Sequence, residues 1–169
     1  MEKIEFQKLD NNNIDYELLH KWSGESFIQE WFEQRSLSID EIIDKYERKL
    51  KEGKEQLFFI LYDGKKIGYF QYYPDTDPET YEYDILIGEE EYLNRGIGTE
   101  ASKMINKYIF DQTNTNKIMV RPSKRNKRAC RCYEKSGFQL IRDYSGHDTL
   151  GNQDIFSIYI IENEKKMQL

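Results

Sequence analysis

The period of hydrophobic and polar positions changes several times along the chain, and each change predicts an element. Ile4-Glu5-Phe6-Gln7-Lys8-Leu9 alternates and predicts a strand. Ile14 to Trp22 predicts a short helix. Ser38-Ile39-Asp40-Glu41 has the form of a capping box, in which the Ser38 hydroxyl accepts from the Glu41 amide and the Glu41 side chain reaches back. After it, Ile39, Ile42, Ile43, Tyr46 and Leu50 fall at helical spacing and give that helix one buried stripe. Leu57 to Tyr62 is a dense strand. Asp63-Gly64 then predicts a type I′ hairpin turn, because both central residues need positive φ. The return strand runs from Lys66 to Tyr73 and stops at Pro74, and a third runs from about Tyr81 to Ile87. These three strands make an antiparallel meander.

Beyond Gly88 the period becomes helical. Ile97, Ala101, Met104, Ile105, Tyr108 and Ile109 define an amphipathic helix that starts at a glycine-rich loop. Lys117 to Arg121 is a short strand closed by Pro122. Ala129, Cys132, Tyr133 and Ser136 mark another helix, ended by Gly137. Phe138 to Asp143 and Asp154 to Ile160 predict two last strands. The order is β-α-α-β-β-β-α-β-α-β-β. A strand–helix–strand unit beside a meander requires a mixed central sheet, so the fold class is α/β (α+β). No repeat or Pro/Gly/Ser linker divides the chain, and one domain over residues 1–169 is expected.

Composition narrows the class. Hydrophobic residues make up 38% and charged residues 33%, and 13 Tyr, 9 Phe and 2 Trp supply core volume. No apolar run approaches the roughly 20 residues of a membrane span. Met1 to Phe6 lacks the apolar stretch of a signal peptide, so a cytoplasmic protein is expected, with no membrane partner. Cys130 and Cys132 point in different directions on a helix, and with His20 and His147 scattered they make neither a disulfide nor a metal site. Net charge is −6, which argues against nucleic acid as a partner.

The distribution of charge says more. Between Ile67 and Asn94 there is no Lys or Arg, but there are Asp75, Asp77, Glu79, Glu82, Asp84, Glu89, Glu90 and Glu91. From Arg121 to Arg142 basic residues dominate. A protein binding a polyanionic cofactor and a cationic acceptor would use such a split; two solvated charged faces are the plain alternative.

Asn94-Arg95-Gly96-Ile97-Gly98-Thr99 lies between a strand and a helix. Its glycines permit close backbone approach, and the free amides of a helix start hold phosphate without a side-chain charge. A tight turn is the alternative. The loop is neither a Walker loop nor a Rossmann fingerprint.

About thirty residues later comes Asn126, then Ala129, then Cys132-Tyr133-Glu134-Lys135-Ser136-Gly137-Phe138. Paired with Gly96-Ile97-Gly98, this segment resembles the GNAT superfamily of N-acetyltransferases, whose element order also matches. Ile67 to Gln71, Tyr83 to Gly88 and Trp31-Phe32 resemble aminoglycoside 6′-N-acetyltransferases in particular. The resemblance implies acetyl-CoA as co-substrate and a primary amine of a small polar molecule as acceptor. An aminoglycoside leads, with a polyamine or a protein N-terminus behind it. A coenzyme A-binding protein without chemistry is a further alternative.

By that resemblance Asp84 is the general base, because an ammonium group must lose a proton before it can attack. Tyr133 lies near the coenzyme A sulfur and protonates the leaving thiolate. Leu86 and Ile87 pair with the pantetheine arm. Asn94, Arg95, Gly96, Ile97, Gly98 and Thr99 form the pyrophosphate loop. Asn126 hydrogen-bonds pantetheine and Ala129 belongs to the same cofactor segment. Trp31, Asp84 and Arg121 face the acceptor. Two positions depart from the pattern: Leu93 stands where many members carry Gln or Arg, and Arg121 stands where aminoglycoside-modifying members carry an aspartate. If Arg121 points into the acceptor cleft, it opposes a multiply charged drug. Cys132 sits inside a helix beside Tyr133, so direct attack is expected rather than an acetyl-enzyme. The assembly is expected to be a monomer or homodimer.

Overall fold

The structure, a computed structural model, describes residues 3–32 and 35–168. Met1 and Glu2, part of the N-terminal segment read above, lie outside the described residues. Asp63 (φ 47°) and Gly64 (φ 80°) both take positive φ, and the hairpin they close sets the register of the meander. Among the described residues seven strands form one sheet: β1 (Ile4–Lys8), β2 (Gln56–Tyr62), β3 (Lys65–Pro74), β4 (Thr80–Ile87), β5 (Lys117–Val120), β6 (Gln139–His147) and β7 (Gln153–Glu162). Their spatial order is β1-β2-β3-β4-β5-β7-β6. β4 and β5 pair parallel, and every other pair is antiparallel, so the sheet is mixed as expected.

Among the described residues six α-helices accompany the strands: α1 (Tyr16–Ser23), α2 (Ser26–Gln29), α3 (Ile39–Glu52), α4 (Ile97–Gln112), α5 (Lys127–Lys135) and α6 (Glu164–Met167). The sequence pattern missed α2 and α6, which at four residues each are too short to display a helical period. The Ser38 capping box forms in full at the start of α3. α5 ends in a Schellman motif: the Phe138 amide donates to the Tyr133 carbonyl at 3.1 Å and the Gly137 amide to Glu134 at 3.2 Å.

Alternation along the strands divides the core between the two faces of the sheet. Leu57, Phe59 and Leu86 pack with Trp22 of α1 and with Ile42 and Tyr46 of α3. Phe58, Ile60, Phe70 and Tyr83 pack with Ile97, Ala101 and Ile105 of α4 and with Tyr133 of α5. Close approach is tightest at Gly88, where a Cβ would lie 2.3 Å from the Trp22 ring. That ring is pinned by its Nε1–H, which donates to Glu89 at 2.9 Å.

One irregularity positions the site. β4 pairs with β5 only at Thr80↔Lys117, Tyr81↔Ile118 and Glu82↔Met119, although β4 continues to Ile87 and stays paired with β3 throughout. β5 stops at Val120, with Pro122 just beyond, and the two strands diverge. From Tyr83 onward the β5-facing edge of β4 has no strand partner among the described residues.

Candidate active site

The wedge between β4 and β5 opens into a cavity of about 600 Å³, within the size range of small-molecule sites. Asp84, Leu86, Ile87, Asn94, Gly96, Gly98, Thr99, Asn126, Ala129, Tyr133, Trp31 and Arg121 all line it. Two of the predicted residues do not. The Arg95 guanidinium lies over the rings of Tyr92 (5.3 Å) and Tyr62 (5.8 Å), and the Ile97 side chain is buried in the core. Only their backbones are left to meet a phosphate.

Asp84 is exposed at the mouth of the wedge, on the sheet face covered by α3. Gln71 Nε2 donates to Asp84 Oδ2 at 3.0 Å, and the Tyr73 hydroxyl donates to the same oxygen at 3.2 Å. Burial and the neighbouring Asp84 and Glu82 carboxylates push the Tyr73 phenol far above its ordinary range, so it remains a donor. Oδ1 of Asp84 has no partner among the described residues. Gln71 and Tyr73 share one face of β3 by alternation, though the sequence pattern singled out neither. It did not give the Gln71↔Asp84 register that brings them to the carboxylate.

Tyr133 enters the cavity from α5 on the other sheet face. It is buried among Phe138, Tyr83 and Tyr159, with ring centroids at 5.5, 6.1 and 6.5 Å. Its hydroxyl has no hydrogen-bond partner among the described residues. Burial, helped by the charge of Asp84 among others, raises the phenol well above 10.0. It is therefore protonated at neutral pH, as a proton donor must be. Cys132 Sγ lies 3.7 Å from Ser102 Oγ, with no histidine or carboxylate in hydrogen-bond contact to make it a nucleophile.

The phosphate-binding expectation rests on the start of α4. Gly96 takes the left-handed conformation (φ 79°) as N-cap, and no side chain caps the helix. The first-turn amides thus remain open toward the cavity, where Gly98 and Thr99 lie. Asn126 caps α5 by accepting from the Ala129 amide at 3.1 Å. Arg128, Arg131 and Lys135 of α5 also line the cavity.

On the acceptor side, Trp31 carries the Arg125 guanidinium over its ring at 5.4 Å, and Arg125 is paired with Asp154 at 3.1 Å. The Thr149 hydroxyl donates to the Phe32 carbonyl at 3.1 Å, so the β6–β7 loop meets the segment after α2 and roofs the cavity. This roof was not visible in the sequence, since it joins residues 117 positions apart.

Arg121 lines the acceptor half, but its charge is not free. Its Nε donates to Glu82 Oε2 at 3.0 Å and its Nη2 to Oε1 at 2.7 Å. Glu82 is buried, and burial pushes its carboxyl up to about 7 although Arg121 pulls it down. Part of each charged block of the sequence is held in such pairs: Glu89 meets Lys21, Glu91 meets Lys65, Asp77 meets Lys117, and Lys124 meets Asp143. Arg128, Arg131 and Lys135 form no ion pair among the described residues and stay at the cavity.

An unpaired strand edge, an uncapped helix start and a carboxylate meet in one wedge of a mixed sheet, which is not the arrangement of a Rossmann nucleotide fold. Residues 11–145 match the acetyltransferase (GNAT) domain, and the chain belongs to that family. It is an acetyltransferase that takes its acetyl group from acetyl-CoA and delivers it to an amine. Among curated proteins it is similar to aminoglycoside N(6′)-acetyltransferase type 1 of Klebsiella pneumoniae, with 29% identity covering 91% of this chain and 81% of the relative. It is also similar to spermidine N(1)-acetyltransferase of Escherichia coli K12, with 26% identity covering 81% and 73%. Among solved structures, aminoglycoside acetyltransferase AAC(6′)-Ib in complex with coenzyme A superposes with a TM-score of 0.83 at 22% identity, covering 98% of each chain. Among the described residues, no helix is long and apolar enough to cross a membrane.

Proposed function

We propose that this enzyme acetylates the primary amine of a small cationic molecule, an aminoglycoside or a polyamine, by direct attack on acetyl-CoA. The observation that carries the reading is Asp84, a cavity-lining carboxylate with one oxygen held and the other without a partner among the described residues. Asp84 binds the ammonium group and takes its proton as the nitrogen attacks the thioester carbonyl. The C–N bond forms, the nitrogen of the adduct loses its second proton to solvent, the C–S bond breaks as Tyr133 gives its proton to the departing sulfur, and Tyr133 regains a proton from solvent. Products are the amide and free coenzyme A. In this reading the open edge at Leu86 and Ile87, with Asn126 and Ala129, holds pantetheine. The backbone from Asn94 to Thr99 holds the pyrophosphate.

Two considerations favour a cationic acceptor. Pairing with Glu82 removes the repulsion expected from Arg121, and Asp84 then leaves the inner cleft negative. The named relatives act on aminoglycosides and on spermidine. The same reading treats residues 1–169 as one N-acetyltransferase domain acting in the cytoplasm as a monomer or homodimer, on a small molecule rather than nucleic acid or membrane.

The test is release of free coenzyme A with kanamycin, spermidine and a short peptide bearing a free N-terminus. Turnover on kanamycin or spermidine is expected, and Asp84→Asn should lower kcat by about 10²–10⁴-fold with an unchanged circular dichroism spectrum. A near-normal rate for Asp84→Asn on the best amine would remove the general-base assignment. Acetylation of the peptide alone would replace the acceptor class. Tight coenzyme A binding without turnover would leave the non-catalytic alternative.

A further inference from the structure

α3 packs its stripe of Ile42, Tyr46 and Leu50 on the sheet, and the Tyr46 ring meets Tyr69 of β3 edge-on at 6.1 Å. Lys49 stands at i+7 from Ile42, on this inward side of the helix, where an apolar residue is the ordinary choice. Its side chain is only 16% exposed. Its ammonium donates to Gln71 Oε1 at 2.7 Å and lies 3.2 Å from Glu55. Burial lowers the Lys49 ammonium, while Glu55 and Asp84 favour its charged form.

The chemistry of the contact is directional. An ammonium group has donors and no acceptor, so it holds the Gln71 carbonyl oxygen and fixes which way the amide faces. The Gln71 amino group is thereby presented to Asp84 Oδ2, which also receives the Tyr73 hydroxyl. Two donors on one oxygen restrain the carboxylate of this cavity-lining residue, while Oδ1 has no partner among the described residues.

We infer that Lys49 and Gln71 are positioning residues for the transfer reaction: Lys49 locks the Gln71 amide, and Gln71 with Tyr73 aims the open oxygen of Asp84 at the acceptor amine. The inference rests on the assignment of Asp84 as general base. It adds two residues, one on a helix remote in sequence, that are not among those lining the cavity.

The test measures kcat and both KM values with acetyl-CoA and the fastest amine among kanamycin, spermidine and the peptide. Lys49→Met should lower kcat about tenfold, the scale of one hydrogen bond to a charged group, with the KM for acetyl-CoA unchanged. Lys49→Arg keeps a donor and should recover to within about threefold of the parent. Gln71→Glu has no donor for Asp84 and should lose at least as much as Lys49→Met. In an Asp84→Asn background Lys49→Met should have no further effect, because the carboxylate it aims is gone.

Equal losses with and without the Asp84 carboxylate would make Lys49 a merely structural residue and overturn the inference. So would kcat within twofold of the parent for both Lys49→Met and Gln71→Glu while Asp84→Asn is inactive. A near-normal Asp84→Asn would instead bring down the general-base reading, and the inference with it. A crystal structure of Lys49→Met gives an arm that needs no turnover. A reversed Gln71 amide or a rotated Asp84 carboxylate supports the inference, and an unchanged Gln71–Asp84 contact near 3.0 Å opposes it.

Discussion

Arg121 and Glu82 meet at the point where β4 and β5 part, Glu82 being the last β4 residue paired with β5. The pair is unequal in environment: the Glu82 side chain is 5% exposed and that of Arg121 is 42% exposed. Removing the arginine leaves the buried Glu82 carboxyl without its partner, so it must take up a proton or sit as an unpaired charge. We expect Arg121→Ala to destabilise by about 2 kcal/mol, below the range for a fully buried pair because Arg121 reaches solvent. Adding Glu82→Gln removes the stranded charge and should recover at least half of that loss. Urea denaturation of the three variants checks both statements. An Arg121→Ala protein as stable as the parent would show that the pair is not needed at the vertex.

At the scale of an element, α4 contributes its start rather than its side chains. Gly96 turns the chain into the helix in a left-handed conformation, and the Ile97 side chain anchors the first turn in the core. Gly98 is free of positive φ, and a Cβ there would meet only Cys132 Sγ, at 3.7 Å. The fold therefore has room for a side chain at this position, while a carboxylate would stand at the open amides. Gly98→Asp should lower coenzyme A affinity at least tenfold and leave the thermal midpoint within a few degrees. Calorimetric titration and a melting curve measure the two. Unchanged affinity would remove the loop from the cofactor site.

For the whole molecule, pH acts through carboxylates of opposite sign. Arg125, Ser123 and the Ile155 amide hold Asp154 at about 2, below its ordinary 3.8. Thr80, the Glu79 amide and Lys117 do the same for Asp77, again at about 2. A depressed carboxyl stabilises the fold above its unfolded value, and that stability is lost as pH falls through the folded value. Stability should thus fall between about pH 4 and pH 2. Glu82 works the other way. Its folded value of about 7 exceeds 4.5, so the folded state binds the proton more tightly and stability declines as pH rises from 4.5 to 7. Glu82→Gln should flatten the curve between pH 4.5 and 7 and leave the acid limb. A parent and variant with parallel curves across that window would contradict the raised Glu82 value.

Local pattern determined much of this protein. The Asp63-Gly64 turn, the Ser38 capping box, the Gly137 helix end and all seven strands were legible because each depends on residues a few positions apart. Membership of the GNAT family was legible in Gly96-Ile97-Gly98 and the segment from Asn126 to Phe138. Their spacing follows from one strand–helix–strand unit. Part of the candidate cavity lining, including Gly96, Gly98, Asn126 and Tyr133, followed from the same segments. What the tertiary structure alone decided was pairing between distant residues. Lys49, Gln71 and Asp84 come from a helix and two strands, and only the register and the seating of α3 join them. Arg121 reads as a repelling charge in the sequence and is a neutralised one in the fold, because Glu82 lies across the vertex. The Arg95 guanidinium lies over Tyr92 and Tyr62, the latter a contact between distant strands and loops that no local pattern gives. Secondary structure is set by neighbours in the chain, whereas the charge and aim of a side chain are set by neighbours in space.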